Sequence, residues 1–155
     1  MVHIVFNKIL VGLDGSESNL NALNYAIHLA QQEKAELVLI TAVEPLPPKA
    51  YEMGGIPSYM PQYQVDLHKS LEEMQGTHLD RIRKSYPDLL ISGSVKEGRA
   101  ATVITDAAKD ADLIVIGHRG HGGILSWVLG SVAKEVVDQC TVPVLVIKEK
   151  ECARA

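Results

Sequence analysis

Residues Lys8-Ile-Leu-Val-Gly-Leu13 form a short stretch that begins with one charged side chain and continues with apolar residues and a glycine. Four comparable stretches follow along the chain, at Glu36 to Val43, Leu89 to Val95, Leu113 to Gly117 and Val142 to Lys148. Short apolar runs of this kind are typical of strands that are buried on both faces, as they are in a parallel sheet. We therefore predict a sheet that contains all of these runs as strands.

The segments between these strands carry apolar residues at helical spacing. The spacing is clearest in three segments, marked by Leu20, Leu23, Ile27 and Ala30; by Val65, Leu71, Met74, Leu79 and Ile82 within Gln62 to Ser85; and by Val103, Ile104, Ala107, Ala108 and Ala111. Parallel neighbours need a long connection, and each helix buries its apolar face on the sheet. The alternation therefore predicts a doubly wound α/β fold with right-handed crossovers, built from five strands and four helices.

Length and composition indicate an ordinary globular protein. We expect residues 1–155 to form a single domain with a loose tail at 149–155. The net charge of −4 lies in no single block, which argues against nucleic acid or an anionic membrane as a partner. No stretch resembles a signal peptide or a membrane span, so we expect a cytoplasmic protein. Cys140 and Cys152 fit neither a disulfide framework nor a zinc site, and we expect reduced thiols.

One long stretch, Glu44 to Tyr63, is predicted to lack regular structure. It follows the second strand directly and holds five prolines and two adjacent glycines. A loop of about twenty residues inside a compact domain is often functional or mobile. A loop that gates a pocket and a tolerated surface insertion are both compatible with this composition.

The segment after the fourth strand combines glycines with the start of a helix. The strand ends at Gly117, the loop His118-Arg119-Gly120-His121-Gly122-Gly123 follows, and Gly130-Ser131 opens a segment in which Val132, Val136 and Val137 fit one helix face. Glycine lets the backbone approach an anion, helix N-terminal N–H groups carry partial positive charge, and a serine hydroxyl can donate to phosphate. We therefore predict that Ile116 to Val132 is a phosphate-binding loop. The alternative is that the glycines only form turns and that Ser131 is an ordinary N-cap.

Two common nucleotide motifs are absent from this loop. A P-loop needs lysine immediately before the serine or threonine, and Leu129-Gly130-Ser131 has none. The dinucleotide fingerprint, counted from Gly120 and Gly122, places its third glycine at Leu125. A GTPase-like or NAD-binding protein is therefore not expected.

The spacing Gly117-x2-Gly120-x9-Gly130-Ser131 resembles the G-2x-G-9x-G-(S/T) signature of ATP-binding universal stress proteins. The resemblance extends from about Asn7 to Lys148. It includes the opening Lys8-Ile-Leu-Val-Gly-Leu-Asp14-Gly-Ser16, Gly98-Arg-Ala-Ala and the closing Pro143-Val-Leu-Val-Ile-Lys148. The chain is thus similar to this family over nearly its whole length.

The resemblance implies a Rossmann-like fold of the adenine nucleotide alpha hydrolase type, with strand order 3-2-1-4-5 and helices on both faces of the sheet. Strands one and four are then neighbours at the switch point where such sheets bind ligands. The implied roles are Asp14 near the ribose or the metal side of the nucleotide, Ala42 against adenine, Ile116 and Gly117 along the nucleoside, and Gly120, Gly130, Ser131 and the backbone of Val132 around the phosphates. Asp14 is also suited to cap a turn with Gly15 and Ser16, and the two roles are compatible.

Basic side chains in the loop have more than one interpretation. Arg119 is expected to contact phosphate. His118 and His121 have a spacing that a metal could use, but no third ligand is evident, so solvated histidines are expected and no protein metal site is predicted. Magnesium or manganese is expected to arrive with ATP, bound through its phosphates. Arg99 and Lys134 are expected to lie at the surface.

The preferred function is an ATP-binding regulatory module, to which the resemblance adds a role in stress response. The alternative is a slow ATPase or autophosphorylating phosphotransfer enzyme that uses the same pocket, with Ser131 or a loop histidine accepting phosphate. No catalytic residue can be assigned, because no residue that positions water and no arginine finger is evident. A protein with an empty pocket is less compatible with the intact glycine signature. Pro143 to Lys148 is apolar, and the strand order implied by the resemblance puts it at the edge of the sheet, where an unprotected strand can pair with another chain. The resemblance also implies a homodimer through this strand.

Overall fold

The computed structural model describes residues 2–14, 17–45, 60–118 and 129–148. Its regular elements are the strands β1 (Lys8–Gly12), β2 (Glu36–Val43), β3 (Ile91–Glu97), β4 (Leu113–Gly117) and β5 (Val144–Ile147), and the helices α1 (Glu17–Glu33), α2 (Met60–Ser85), α3 (Ala100–Ala107) and α4 (Ser131–Gln139). A short 3-10 turn, Ala108–Asp110, follows α3. The five strands form one parallel sheet in the order β3-β2-β1-β4-β5, which confirms the predicted fold class.

The core lies on both faces of this sheet. On one face, α1 and α2 pack against alternate strand residues. This part of the core contains Leu23 of α1 and Ile82 of α2, together with the strand residues Ile9, Val11 and Val115. On the other face, α3 and α4 cover the strand residues that point to that side. This part of the core contains Ile104 of α3 and Val136 of α4, together with the strand residues Leu10, Ile114 and Ile116. Full burial of a large aliphatic side chain stabilises the fold by about 1.5–3 kcal/mol. The strands β1 and β4, which contribute buried side chains to both faces, therefore stabilise both layers of helices.

The edge strand β3 differs from the prediction of strands buried on both faces. Ile91 is buried, but the rest of β3 is exposed or half-buried. The cause is its position, because among the described strands β3 pairs only with β2, and α2 packs on it from one side. Its bounds also begin two residues later than the predicted run at Leu89.

The irregular stretch is shorter at its end than predicted. Helix α2 begins at Met60, so the last residues of Glu44 to Tyr63 are helical. Pro61 is compatible with this start, because a proline in the first turn of a helix has no hydrogen bond to lose. Residues 46–59 lie outside the described part of the chain, as do Cys152 and the tail at 149–155. Within the described ranges, no helix is both long and apolar enough to cross a bilayer.

Lys34, the residue directly after α1, has a strained backbone conformation that can be tested by substitution. Its φ is 55°, and the next N–H, that of Ala35, donates to the Ala30 carbonyl at 2.9 Å. A side chain at this φ costs about 1–2 kcal/mol, which glycine avoids. We expect Lys34→Gly to raise the free energy of unfolding by up to about 1 kcal/mol in denaturant titrations. Gln32→Gly, inside α1, is the matched control and should lower it by about 1 kcal/mol. A loss of stability in both variants would contradict the strain at Lys34.

Candidate functional site

The candidate site lies where β1 and β4 end side by side. Val11 pairs with Val115, so Leu13 and Asp14 continue β1 beside Gly117 and His118. On the other side of β1, Gly12 pairs with Ile40, and the Leu13 N–H donates to the Ile40 carbonyl at 2.9 Å. The helices that follow β1 and β4 lie on opposite faces of the sheet, α1 on one face and α4 on the other. This is the switch point at which open α/β sheets bind ligands.

The N-terminus of α4 is held against the end of β4 by backbone hydrogen bonds. The Gly130 N–H donates to the His118 carbonyl at 2.9 Å, and the His118 N–H donates to the Ile147 carbonyl at 2.8 Å. The N-cap of α4 is Gly130, with φ −58° and ψ 154°, and Ser131 is the first residue of the helix. Ser131 is therefore not the N-cap. Because Gly130 has no side chain to cap the first turn, this end of the helix is suited to an anion.

The part of this edge formed by Ala42 and Ile116 is apolar and lies on the α3 and α4 face of the sheet. Ile116 is 4% exposed and belongs to the core on this face, and the half-buried Ala42 packs against the same core. A Cβ on Gly12 would lie 3.1 Å from the Ile104 side chain and 3.7 Å from that of Ile116. The glycine thus permits close packing of α3 on β1 directly below the site.

The structure brings most of the predicted site residues to this edge of the sheet. Those described are Asp14, Ala42, Ile116, Gly117, Gly130, Ser131 and Val132, all at or just beyond the carboxyl ends of β1, β2 and β4 or at the start of α4. Arg119 and Gly120 lie outside the described residues, as does His121. His118 is 3% exposed, so the expectation of a solvated histidine is wrong at this position.

The interpretation of α4 also needs a correction. Val136 is buried, but Val132 and Val137 are 37% and 45% exposed, so these valines do not share one buried face. The buried pair on α4 is instead Ala133 and Val136, spaced by three residues. Ala133 and Val136 lie on the same side of α4, so they are enough to pack this short helix against the sheet. Lys134 is exposed, as expected.

Three polar contacts around the site were not evident from the sequence. The Asp14 N–H donates to Asn19 Oδ1 at 3.1 Å, which orders the end of β1 against the start of α1. Glu44 accepts a hydrogen bond from the Ala100 N–H at 3.2 Å. Arg99 and Glu135 form an ion pair at 2.9 Å. Asn19 could have been suspected as a polar residue shortly after a strand, whereas the other two contacts join residues that are far apart in sequence.

The chain is similar in sequence and in fold to known proteins. The chain is 30% identical over 149 residues to the universal stress protein YxiE of Bacillus subtilis (strain 168), covering 93% of this chain and 100% of that one. Its fold is similar to that of the universal stress protein UspA from Lactobacillus plantarum, with a TM-score of 0.79 and 23% identity over 94% of this chain and 99% of that one.

Two similar solved structures contain an adenine nucleotide. The universal stress protein from Archaeoglobus fulgidus in complex with dAMP has a TM-score of 0.61 and 22% identity over 94% of this chain and 100% of that one. A universal stress protein in complex with cAMP has a TM-score of 0.61 and 23% identity over 94% of this chain and 98% of that one. At this identity the similarity establishes a shared fold.

The sequence match to a family is nearly complete along the chain. Residues 6–148 match the description "Universal stress protein family", a range that contains every strand and helix described above. It also contains the glycine spacing that begins at Gly117. The chain therefore belongs to the universal stress protein family.

Proposed function

We propose that this protein binds ATP at the carboxyl ends of β1 and β4 and acts as a regulatory nucleotide-binding module in stress response. The observation that carries the proposal is the hydrogen bond from the Gly130 N–H to the His118 carbonyl, which seats the uncapped start of α4 at the switch point. Solved family members that contain dAMP and cAMP support an adenine nucleotide as the ligand.

The proposed roles follow the position of each residue along this edge. Ala42, Ile116 and Gly117 would bind the nucleoside, because they form the apolar side of the site. Gly130, Ser131 and the Val132 backbone would bind phosphates at the helix start, where N–H groups and the helix dipole favour anions. Arg119 and Gly120 are proposed to complete the phosphate site on the sequence pattern alone.

A divalent cation is proposed to accompany the phosphates. Asp14 is half-buried two residues beyond the end of β1 and carries a carboxylate at this edge of the sheet. Magnesium and manganese take most of their ligands from phosphate and water and need few protein carboxylates. Asp14 fits that requirement or, alternatively, accepts a ribose hydroxyl. Either role places it on the polar side of the nucleotide.

The direct test is calorimetric titration of the purified protein with ATP in the presence of magnesium, alongside adenosine and GTP. We expect one ATP site per chain, weaker binding of adenosine and little binding of GTP. The same protein should release adenine nucleotide when it is denatured after purification. Binding of ATP and GTP with equal affinity, or no binding of either, would contradict the proposal.

Phosphate release by the same protein in the presence of ATP distinguishes a regulatory module from an enzyme. Multiple-turnover release of phosphate that is lost in Asp14→Ala would favour the slow ATPase or phosphotransfer alternative. Retention of ATP at one per chain without turnover would favour the regulatory module. The two outcomes differ by the number of phosphates released per chain.

We also propose a homodimer through β5. The strand lies at the edge of the sheet, and Val144, Leu145 and Val146 are only half-buried. The Ile114 N–H donates to the Pro143 carbonyl and the His118 N–H donates to the Ile147 carbonyl. Since strand residues alternate in direction, the backbone groups of Val144 and Val146 point to the open edge. An apolar edge with open backbone groups is suited to pairing with another chain.

Val146→Pro tests this proposal without removing a bond to β4. We expect the variant to be a monomer, because proline removes an N–H that points to the open edge and is tolerated at such positions. Light scattering at about 10 µM protein should show the change. The matched control is Val95→Pro on the opposite edge strand, which should leave the dimer intact. A wild-type monomer, or a Val146→Pro dimer, would contradict pairing through β5.

A further inference from the structure

Two interactions meet at the start of α3, beside the proposed nucleotide site. A guanidinium nitrogen of Arg99 lies 2.9 and 3.0 Å from the two carboxylate oxygens of Glu135. One residue further, the Ala100 N–H donates to the Glu44 carboxylate at 3.2 Å. We name Glu44, Arg99 and Glu135 together the acidic–basic clamp.

The clamp joins the two ends of the proposed site. Glu44 directly follows β2, two residues after Ala42 on the base side. Glu135 lies one turn into α4, four residues after Ser131 on the phosphate side. Arg99 is the N-cap of α3, with an extended backbone and no capping bond from its own side chain. Its side chain is therefore directed across to α4, and α3 connects the two ends of the site.

The Glu135 carboxylate is held by more than one donor. It accepts from Arg99 and also from the Gln139 side chain at 3.3 Å. Its side chain is 29% exposed, against 68% for Arg99. A carboxylate held by two donors is more restricted than a single exposed ion pair. Glu135 lies four residues after Ser131, and backbone hydrogen bonds of an α-helix join residues four apart, so this restriction extends to the first turn of α4.

We propose that Arg99 and Glu135 are positioning residues that fix the first turn of α4 for phosphate binding. The inference rests on the proposed function, since it concerns the phosphate end of that site. It assigns to Arg99 a role through Glu135 and not through contact with the nucleotide. The neutral variants Arg99→Met and Glu135→Gln should then change ATP affinity in the same direction, because either substitution removes the ion pair that restricts the first turn of α4.

A purely electrostatic role predicts opposite signs. Removing the positive charge of Arg99 would weaken the binding of an anion, and removing the negative charge of Glu135 would strengthen it. Direct contact between Arg99 and phosphate gives the same pattern, since Glu135→Gln would release the guanidinium. Glu135→Gln is therefore the variant that separates positioning from charge.

The experiment is calorimetric titration of the full chain with ATP and magnesium and, separately, with adenosine. We expect Arg99→Met and Glu135→Gln each to weaken ATP binding about threefold to fivefold, in the range of one ion pair, and to leave adenosine affinity within about twofold. The charge-swapped double variant Arg99→Glu with Glu135→Arg should recover most of the ATP affinity. Thermal unfolding of each variant should stay close to that of the wild type.

A second ion pair, between Asp106 of α3 and Lys109 of the 3-10 turn that follows it, provides matched controls. Lys109 and Asp106 lie 3.2 Å apart near the opposite end of the helix, with 75% and 63% exposed side chains. Lys109→Met and Asp106→Asn make the same changes in charge away from the site. They should leave ATP affinity within about twofold of the wild type.

The outcomes distinguish this inference from the proposed function. If the wild type binds no ATP, both fail. If the wild type binds ATP and Glu135→Gln binds it equally or more tightly, the positioning role is wrong while the function stands. Equal losses for ATP and adenosine would also overturn it, because they would indicate a general effect on the fold. Losses restricted to ATP, with recovery in the swapped variant, would support it.

Discussion

Gly130→Val is expected to weaken ATP binding by at least about tenfold, or about 1.4 kcal/mol, while the protein stays folded. The φ of −58° and ψ of 154° at Gly130 are accessible to any residue, so valine introduces no backbone strain. Its N–H can still donate to the His118 carbonyl. The added isopropyl group lies beside the first N–H groups of α4, where it hinders the approach of a phosphate. Calorimetric titration with ATP and magnesium measures the loss.

Gly76→Val is the matched control for this substitution. Gly76 lies within α2, and a Cβ there would meet no atom within 4 Å. The control should bind ATP as the wild type does. Thermal unfolding of Gly130→Val should show a loss of no more than about 1 kcal/mol, because valine is a poorer N-cap than glycine. Unchanged ATP affinity in Gly130→Val would contradict phosphate binding at the start of α4.

The central part of the fold could be predicted from local pattern. The strands β2 and β4 have the predicted bounds, because each is a largely apolar run that is followed directly by a polar residue, Glu44 after β2 and His118 after β4. The order of the strands is confirmed, although it was implied by resemblance and not by the pattern. Gly117 ends β4 and Gly130 is the N-cap of α4, as the glycine pattern in the sequence indicates.

Features that depend on neighbours were not predictable in the same way. The exposure of β3 follows from its place at the edge of the sheet, which its composition does not reveal. Val132 and Val137 are exposed because α4 is short and seats on the sheet through Ala133 and Val136. The bond between Glu44 and Ala100 and the pair of Arg99 with Glu135 join positions 56 and 36 residues apart. Such contacts need the three-dimensional arrangement, since no periodicity connects their members.

The largest expected loss of stability comes from Gln75→Glu. Gln75 is 4% exposed, and its side-chain nitrogen donates to the Thr41 hydroxyl at 3.1 Å and to the Ser94 carbonyl at 3.0 Å. The Leu39 carbonyl lies 3.5 Å from the same nitrogen. A carboxylate oxygen in its place faces these oxygen atoms, and none of the described partners of Gln75 is a cation. We expect a loss of about 3–5 kcal/mol near neutral pH, as for an unpaired buried charge.

The pH dependence of the stability of Gln75→Glu provides a second test of this prediction. Burial should raise the pKa of the introduced carboxyl in the folded protein above its value of about 4.3 in the unfolded chain. The folded state then binds more protons between the two pKa values, so stability increases as the pH falls through the folded pKa. Denaturant titrations at about pH 7 and pH 5 should show a smaller deficit, relative to the wild type, at the lower pH.

Gln75→Leu is the control that removes the amide without adding a charge. It leaves the Thr41 hydroxyl and the Ser94 carbonyl without this donor, so we expect a loss of about 1–3 kcal/mol. That loss should be the same at both pH values. Equal losses and equal pH dependence in the two variants would contradict a buried donor at Gln75. Saturating ATP offers a further measurement. A ligand that binds only the folded state, present at about 100 times its Kd, should add about 2.7 kcal/mol to the stability of the Gln75→Glu variant.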